Sequence, residues 1–211
     1  MNSIASVTLE VADPAAAERF YSTAFGLGPQ VGLRAGDTPT TGFRGFTLSL
    51  QVSQPADADL LLDAALAAGA TSLKPAGKSL WGYGGVVQAP DGTIWKAATP
   101  AKKNTGPATR DLEEIVLLLG VEDVKASKQF YVEQGLAVER SFGSRYVEFV
   151  AEESSPVKLA LYKRRGLAKD LGVPAEGSGS HRIVLGSPAG PFTDPDGFVW
   201  EAAEPSAPAS S

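Results

Sequence analysis

Two segments of this chain occur twice, in the same order, and that repetition limits the fold more than any other feature. Val11-Ala12-Asp13, then Phe20-Tyr21, then Gly26-Leu27 recurs as Val121-Glu122-Asp123, Phe130-Tyr131 and Gly135-Leu136. Pro90-Asp91-Gly92-Thr93-Ile94-Trp95 recurs as Pro195-Asp196-Gly197-Phe198-Val199-Trp200. Repetition of this kind marks repeated structural units. A chain of 211 residues has room for two units with real cores. The first half spans 1–99, and a polar linker carrying Pro and Gly spans 100–110. The second half spans 111–204, and the Ser/Ala/Pro tail 205–211 is too poor in apolar residues to join a core.

Each half opens with a strand. Val7, Leu9 and Val11 alternate onto one face, whereas Glu114 to Val121 is continuously apolar and reads as a strand buried on both sides. A helix starts at Asp13-Pro14, with Asp as N-cap and Pro at the first helical position. Ala17, Phe20, Tyr21 and Ala24 form its core stripe, and Gly26 ends it. The second copy runs from Asp123 to Gly135. In the first half a strand over Phe46–Val52, a helix from Pro55 to Gly69 and strands near 70–73, 85–88 and 93–97 follow. In the second half, strands are expected near 137–142, 146–150, 157–162, 181–186 and 198–202, with no second long helix. Lys163-Arg164-Arg165 reads as a solvated strand end.

Several functions are excluded by what the chain lacks. There is no Cys, so disulfides, thiolate metal sites and thiol nucleophiles are out. The single histidine, His181, rules out a multi-histidine metal site within one chain. A net charge of −5 without a Lys/Arg cluster argues against nucleic acid and anionic membranes. No apolar run approaches the ~20 residues of a membrane span, and the N-terminus shows no secretory signal. A cytoplasmic location is the expectation.

The repeated motifs carry a resemblance. V-x-D, F-Y and G-L, followed by Asp194-Pro195-Asp196-Gly197-Phe198-Val199-Trp200-Glu201, resemble the vicinal-oxygen-chelate superfamily of glyoxalases, bleomycin-resistance proteins and dioxygenases. Lys74-Pro75 followed by Trp81-Gly82-Tyr83-Gly84-Gly85 is similar to glyoxalase-like proteins of unassigned function. The resemblance implies an α+β fold of paired βαβββ modules, internally duplicated, whose curled mixed sheets form cups. In that family a cup holds a divalent metal that chelates two neighbouring substrate oxygens. Carried over residue by residue, the metal positions fall near Ser6, Val116, Gly45 and Arg182 and at the closing pair Lys96 and Glu201. Only Glu201 matches a family ligand. His181 is one residue off, which on a strand points it to the opposite face. No cofactor is therefore expected, with a divalent metal as the alternative.

The candidate catalytic residues are Glu201 and His181, a carboxylate and a near-neutral proton carrier. The candidate ligand-pocket residues are Trp81, Tyr83, Trp95, Phe46, Tyr146, Tyr162 and Trp200, because aromatic walls with a few polar groups suit small ligands. Trp95 and Trp200 hold equivalent repeat positions, which also fits core packing. Arg145, Tyr146, Glu148, Lys158 and Tyr162 read as a solvated sheet face or as the polar lining of the cup. The leading function is metal-free binding of a small molecule, an antibiotic or metabolite, by a monomer or homodimer. A metal-dependent lyase, isomerase or dioxygenase is the alternative, and an interaction scaffold with an occluded cup is the third reading.

Overall fold

The computed structural model describes residues 2–80 and 82–203. The first half contains β1 (Ser6–Val11), α1 (Pro14–Phe25), β2 (Gly32–Ala35), β3 (Thr40–Gly42), β4 (Phe46–Gln51), α2 (Pro55–Ala67), β5 (Thr71–Ser79), β6 (Gly82–Gln88) and β7 (Ile94–Thr99). The second contains β8 (Glu114–Val121), α3 (Val124–Glu133), β9 (Val138–Phe142), β10 (Tyr146–Phe149), β11 (Lys158–Lys163), α4 (Arg164–Leu171), β12 (Gly177–Gly179), β13 (Ile183–Ser187), β14 (Phe192–Thr193) and β15 (Val199–Ala202).

The caps explain the first helices. Asp13 accepts a hydrogen bond from the Ala16 amide at 3.0 Å, Pro14 occupies the first turn and Gly26 closes α1 at φ 67°. Asp123 caps α3 through the Lys125 and Ala126 amides.

Neither large sheet belongs to one half. Eight strands run β5-β6-β7-β4-β8-β11-β10-β9. On each side of its centre the opening strand lies parallel to the closing one, β4 beside β7 and β8 beside β11. These are two complete βαβββ modules, joined where β4 pairs antiparallel with β8. The other sheet has five strands, β14-β15-β13-β1-β2. It is joined in the same way, by β1 antiparallel to β13, but its modules are trimmed. One retains β1, α1 and β2. The other retains β13, β14 and β15, its helix replaced by the short Pro188-Ala189-Gly190-Pro191 connection.

The two repeated motifs touch each other. The Tyr21 hydroxyl on α1 donates to Asp91 in the turn before β7, and Tyr131 on α3 donates to Asp194 before β15 at 2.5 Å. Burial pushes both phenols well above their ordinary range, reinforced by the facing carboxylates. Each half thus ties its helix to its closing turn through a tyrosine, to Asp91 within the P-D-G of the first half and to Asp194 just ahead of it in the second, where Ser127 also donates to Asp196. The turns themselves are held by Asp91 and Asp194, whose carboxylates accept backbone amides.

Two expectations need correction, and one short element was not expected. The second half has no second long helix but does have an eight-residue one, α4, whose buried residues are Leu167, Ala168 and Leu171. Its first turn holds Gly166, a weak helix former, so tertiary packing rather than propensity sustains it. Lys163-Arg164-Arg165 is accordingly a strand-to-helix junction, with Arg164 tied to backbone carbonyls. Finally, β13 begins at Ile183, and Arg182 is left-handed at φ 53°, so strand alternation does not set the direction of His181.

One large apolar core draws on both halves. A smaller one, formed by Phe43, Val86, Ile94, Leu167, Ala168 and Leu171, sits between α4 and the eight-stranded sheet. No helix among the described residues is long and apolar enough to cross a membrane.

Candidate functional site

The aromatic residues expected to line a pocket are dispersed. Phe46, Trp95 and Trp200 lie in the main core. The Trp95 ring is 5.1 Å from both Tyr21 and Phe25, and the Trp200 indole packs on Phe192 at 5.2 Å. The Tyr83 hydroxyl donates to Asp59 of α2 at 2.6 Å, and that hydrogen bond, with burial, raises the phenol to about 12. Tyr146 and Tyr162 meet edge to face at 6.0 Å on the eight-stranded sheet. Trp81 lies outside the described residues.

Each sheet face is occupied by the chain's own cations. On the five-stranded sheet, Arg34 of β2 bridges Glu10 of β1 at 2.9 Å and Glu201 of β15 at 3.0 Å. These bonds raise the Arg34 guanidinium above its ordinary range, Glu201 contributing most. On the eight-stranded sheet, α4 covers one end, and Lys96 pairs with Asp170 at 2.5 Å. At the other end the Lys158 ammonium sits 2.7 Å from Glu139, 2.8 Å from Glu148 and 3.6 Å from Glu114. Burial alone would lower the Lys158 ammonium, but bonds to Glu139 and Glu148 outweigh it and hold it above the usual range. The same contact holds the Glu139 carboxyl below its ordinary value.

A cleft of about 410 Å³ opens where the two sheets meet. Its walls come from both halves: Arg44 before β4, Gly120 and Glu122 around the end of β8, Arg164 at the start of α4, and the His181 and Asp196 loops, with β3 and β12 along one side. The volume falls within the usual range for small-ligand pockets. Among the described residues, His181 is the one candidate from the sequence that lines it. Its Nδ1 lies 2.5 Å from the Arg44 carbonyl, its Nε2 lies 3.1 Å from the Asp196 carbonyl, and its ring stacks on Phe198 at 3.9 Å. Both nitrogens therefore face acceptors of the backbone, and the ring acts as a strut between the halves. Glu201 and His181 stand in different places, one on the five-stranded sheet with Arg34 and the other in the cleft.

Gly45 makes this packing feasible. It sits at φ 86°, and a Cβ there would lie 2.5 Å from an Arg164 nitrogen and 3.2 Å from His181 Nδ1. The Arg44 guanidinium is lowered by burial, opposed by the nearby Asp91 carboxylate and reinforced by Arg182. Its Nη2 donates to the Asp91 carbonyl at 2.7 Å, while its buried Nη1 has no hydrogen-bond partner among the described residues. Sequence reasoning missed Arg44 and Arg164. The signals were there in Arg44-Gly45 ahead of a strand and in Gly177-Ser178-Gly179-Ser180 beside the only histidine.

No family model matches the sequence, and no curated protein does either. Solved structures do match. A glyoxalase I variant from Zea mays superposes with a TM-score of 0.63 at 17% identity, covering 95% of this chain and 91% of that one. This is a vicinal-oxygen-chelate fold. Glyoxalase I from the same plant gives 0.57 at 16% identity over 89% of this chain and 75% of its own. A putative dioxygenase from Bacillus subtilis gives 0.55 at 14% identity, covering 87% and 69%.

The vicinal-oxygen-chelate fold implies a divalent cation in its cups, and the residues of this chain do not fit one. Glu201 is already paired with Arg34, and Lys96 stands at the equivalent place in the first half. Ser6, Val116 and Gly45 supply no strong donor, and Arg182 is a cation itself. Among the described residues no three carboxylates or imidazoles converge in a way that would hold a metal.

Proposed function

We propose that this protein binds a small molecule without a metal, and that its binding site is the cleft at the seam of the two sheets. The observation that carries this reading is that cleft: about 410 Å³ in volume and walled by polar groups from both halves. Fixed polar groups in a concave site are what orient a small ligand. The sheet faces, where the fold would place a cation, carry Arg34, Lys96 and Lys158 instead. Sequestration of an antibiotic or metabolite is the activity most compatible with such a site.

A thermal-shift screen of small metabolites and antibiotics, run with and without EDTA, tests the reading. Binding to the native state raises Tm as RT ln(1 + [L]/Kd) requires. Hits are expected to survive EDTA and to be lost in Glu122→Trp, which narrows the cleft from its exposed rim. Hits that require added metal, or that ignore Glu122→Trp, would overturn it.

A further inference from the structure

We propose that the seam cleft holds its ligand by an anionic group, a carboxylate or a phosphate, placed between Arg44 and Arg164; this rests on the cleft being the binding site. Arg44 donates to the Asp91 carbonyl at 2.7 Å. Arg164 donates from Nε to the Ala175 carbonyl at 3.0 Å and from Nη2 to the Phe43 carbonyl at 2.7 Å, and it lies 5.1 Å above the Phe43 ring. These partners are neutral. Among the described residues neither arginine has a carboxylate within ion-pair distance. Both guanidinium groups are thus fixed in position without a direct ion pair, and the Asp91 carboxylate favours the Arg44 charge only from beyond that distance.

A buried cation without a counterion is costly, and a buried N–H without an acceptor adds to the cost. Arg44 is half-buried, and its Nη1 atom is buried and has no hydrogen-bond partner among the described residues. Arg182, which acts on Arg44 electrostatically, is likewise bound to backbone carbonyls, of Thr38 at 2.9 Å and Gly36 at 3.4 Å. An anion entering the cleft beside Arg164 would supply a countercharge through charge-assisted bonds, and the Arg44 side chain would turn from the Asp91 carbonyl to share it. Two acids line the same cleft. Both oxygens of Asp196 are already used, accepting the Glu122 amide and the Ser127 hydroxyl at 2.7 Å each. Both carboxylates would repel an anion, and Glu122, exposed at the rim, is the one that can be replaced without breaking hydrogen bonds that Asp196 makes to the chain. Ser180 Oγ accepts the Arg182 amide at 3.0 Å and keeps its own O–H to donate.

The test is isothermal titration of the full chain at low ionic strength with inorganic phosphate and, separately, with succinate. Saturable one-to-one binding of either probe is expected, and which one binds tells phosphate from carboxylate recognition. Affinity should fall about tenfold or more in Arg164→Gln and Arg44→Gln, the usual worth of a charge-assisted contact. It should rise about threefold in Glu122→Gln as like-charge repulsion is removed, and stay unchanged in Arg34→Gln on the far sheet. Should Arg44→Gln fail to fold, Arg164→Gln and Glu122→Gln decide the matter, each checked by circular dichroism. Absence of binding by both probes, or binding indifferent to Arg164 and Glu122, overturns the anionic assignment. In that event neutral hits still lost in Glu122→Trp would leave the cleft as the binding site, whereas hits untouched by that change would remove the cleft as well.

Discussion

The two large sheets of this protein are built by one rule and finished differently. Each is joined at its centre by an antiparallel pair of opening strands, β4 with β8 and β1 with β13. The eight-stranded sheet has complete modules, and one of its faces is closed by α4 over a small apolar core. The five-stranded sheet is trimmed, and its corresponding ionic group is open to solvent, with Glu201 55% and Arg34 41% exposed. On the larger sheet Lys158 is only 12% exposed. Similar charge pairs therefore do different jobs: a largely covered ammonium among three carboxylates is part of the fold, while a solvated Arg34 bridge adds little.

That contrast can be broken by substitution. The largest effect is expected for Leu171→Ala under α4, where emptying a fully buried site costs about 2–4 kcal/mol in urea unfolding. A loss below about 1 kcal/mol would mean that α4 merely rests on the sheet. Lys158→Met, which strands the carboxylates of Glu139 and Glu148, is expected to cost about 2–3 kcal/mol near neutral pH. The Glu139 carboxyl is held low in the fold, so its stabilisation is present above the ordinary carboxylate range and lost as pH falls through the lowered value. The gap between Lys158→Met and the parent should therefore close on acidification.

Asp194, beneath the smaller sheet, has the opposite sign. Burial raises its carboxyl, so its contribution is present below the ordinary range and declines as pH rises through the raised value. Asp194→Asn should cost about 1 kcal/mol, with the gap narrowing as pH rises, which unfolding curves at several pH values would show. The smallest effect is expected for Arg34→Ala, about 0.5 kcal/mol or less by the same measurement. A cost as large as that of Lys158→Met would erase the distinction between the sheets.

Much of the fold was legible because local chemistry fixes it. Asp13, Pro14 and Gly26 mark the ends of α1 whatever surrounds it, and the repeated P-D-G turns are held by nearby aspartates, Asp91 in the first and Asp194 just ahead of the second. The interleaving of the halves was not legible. Pairing β4 with β8 and β1 with β13 is decided by which faces become buried, not by any short motif. Helix α4 escaped notice because it is short, contains a glycine and depends on contacts with Phe43 and Val86 far away in sequence. The site was only partly legible for the same reason. His181 stood out by its rarity and does line the cleft, but Arg44 and Arg164 gain meaning only once loops of both halves converge. Trp95 and Trp200 look like pocket residues by type, while their equivalent repeat positions already pointed to the core where they lie.

The central claim is that the chain's own cations have taken over the sheet faces and left the seam as the site of binding. Elemental analysis of protein purified without chelator tests it most directly. The account predicts no divalent metal at stoichiometric level. One tightly held metal per chain, lost in Glu201→Ala, would contradict it and return the functional centre to the five-stranded sheet.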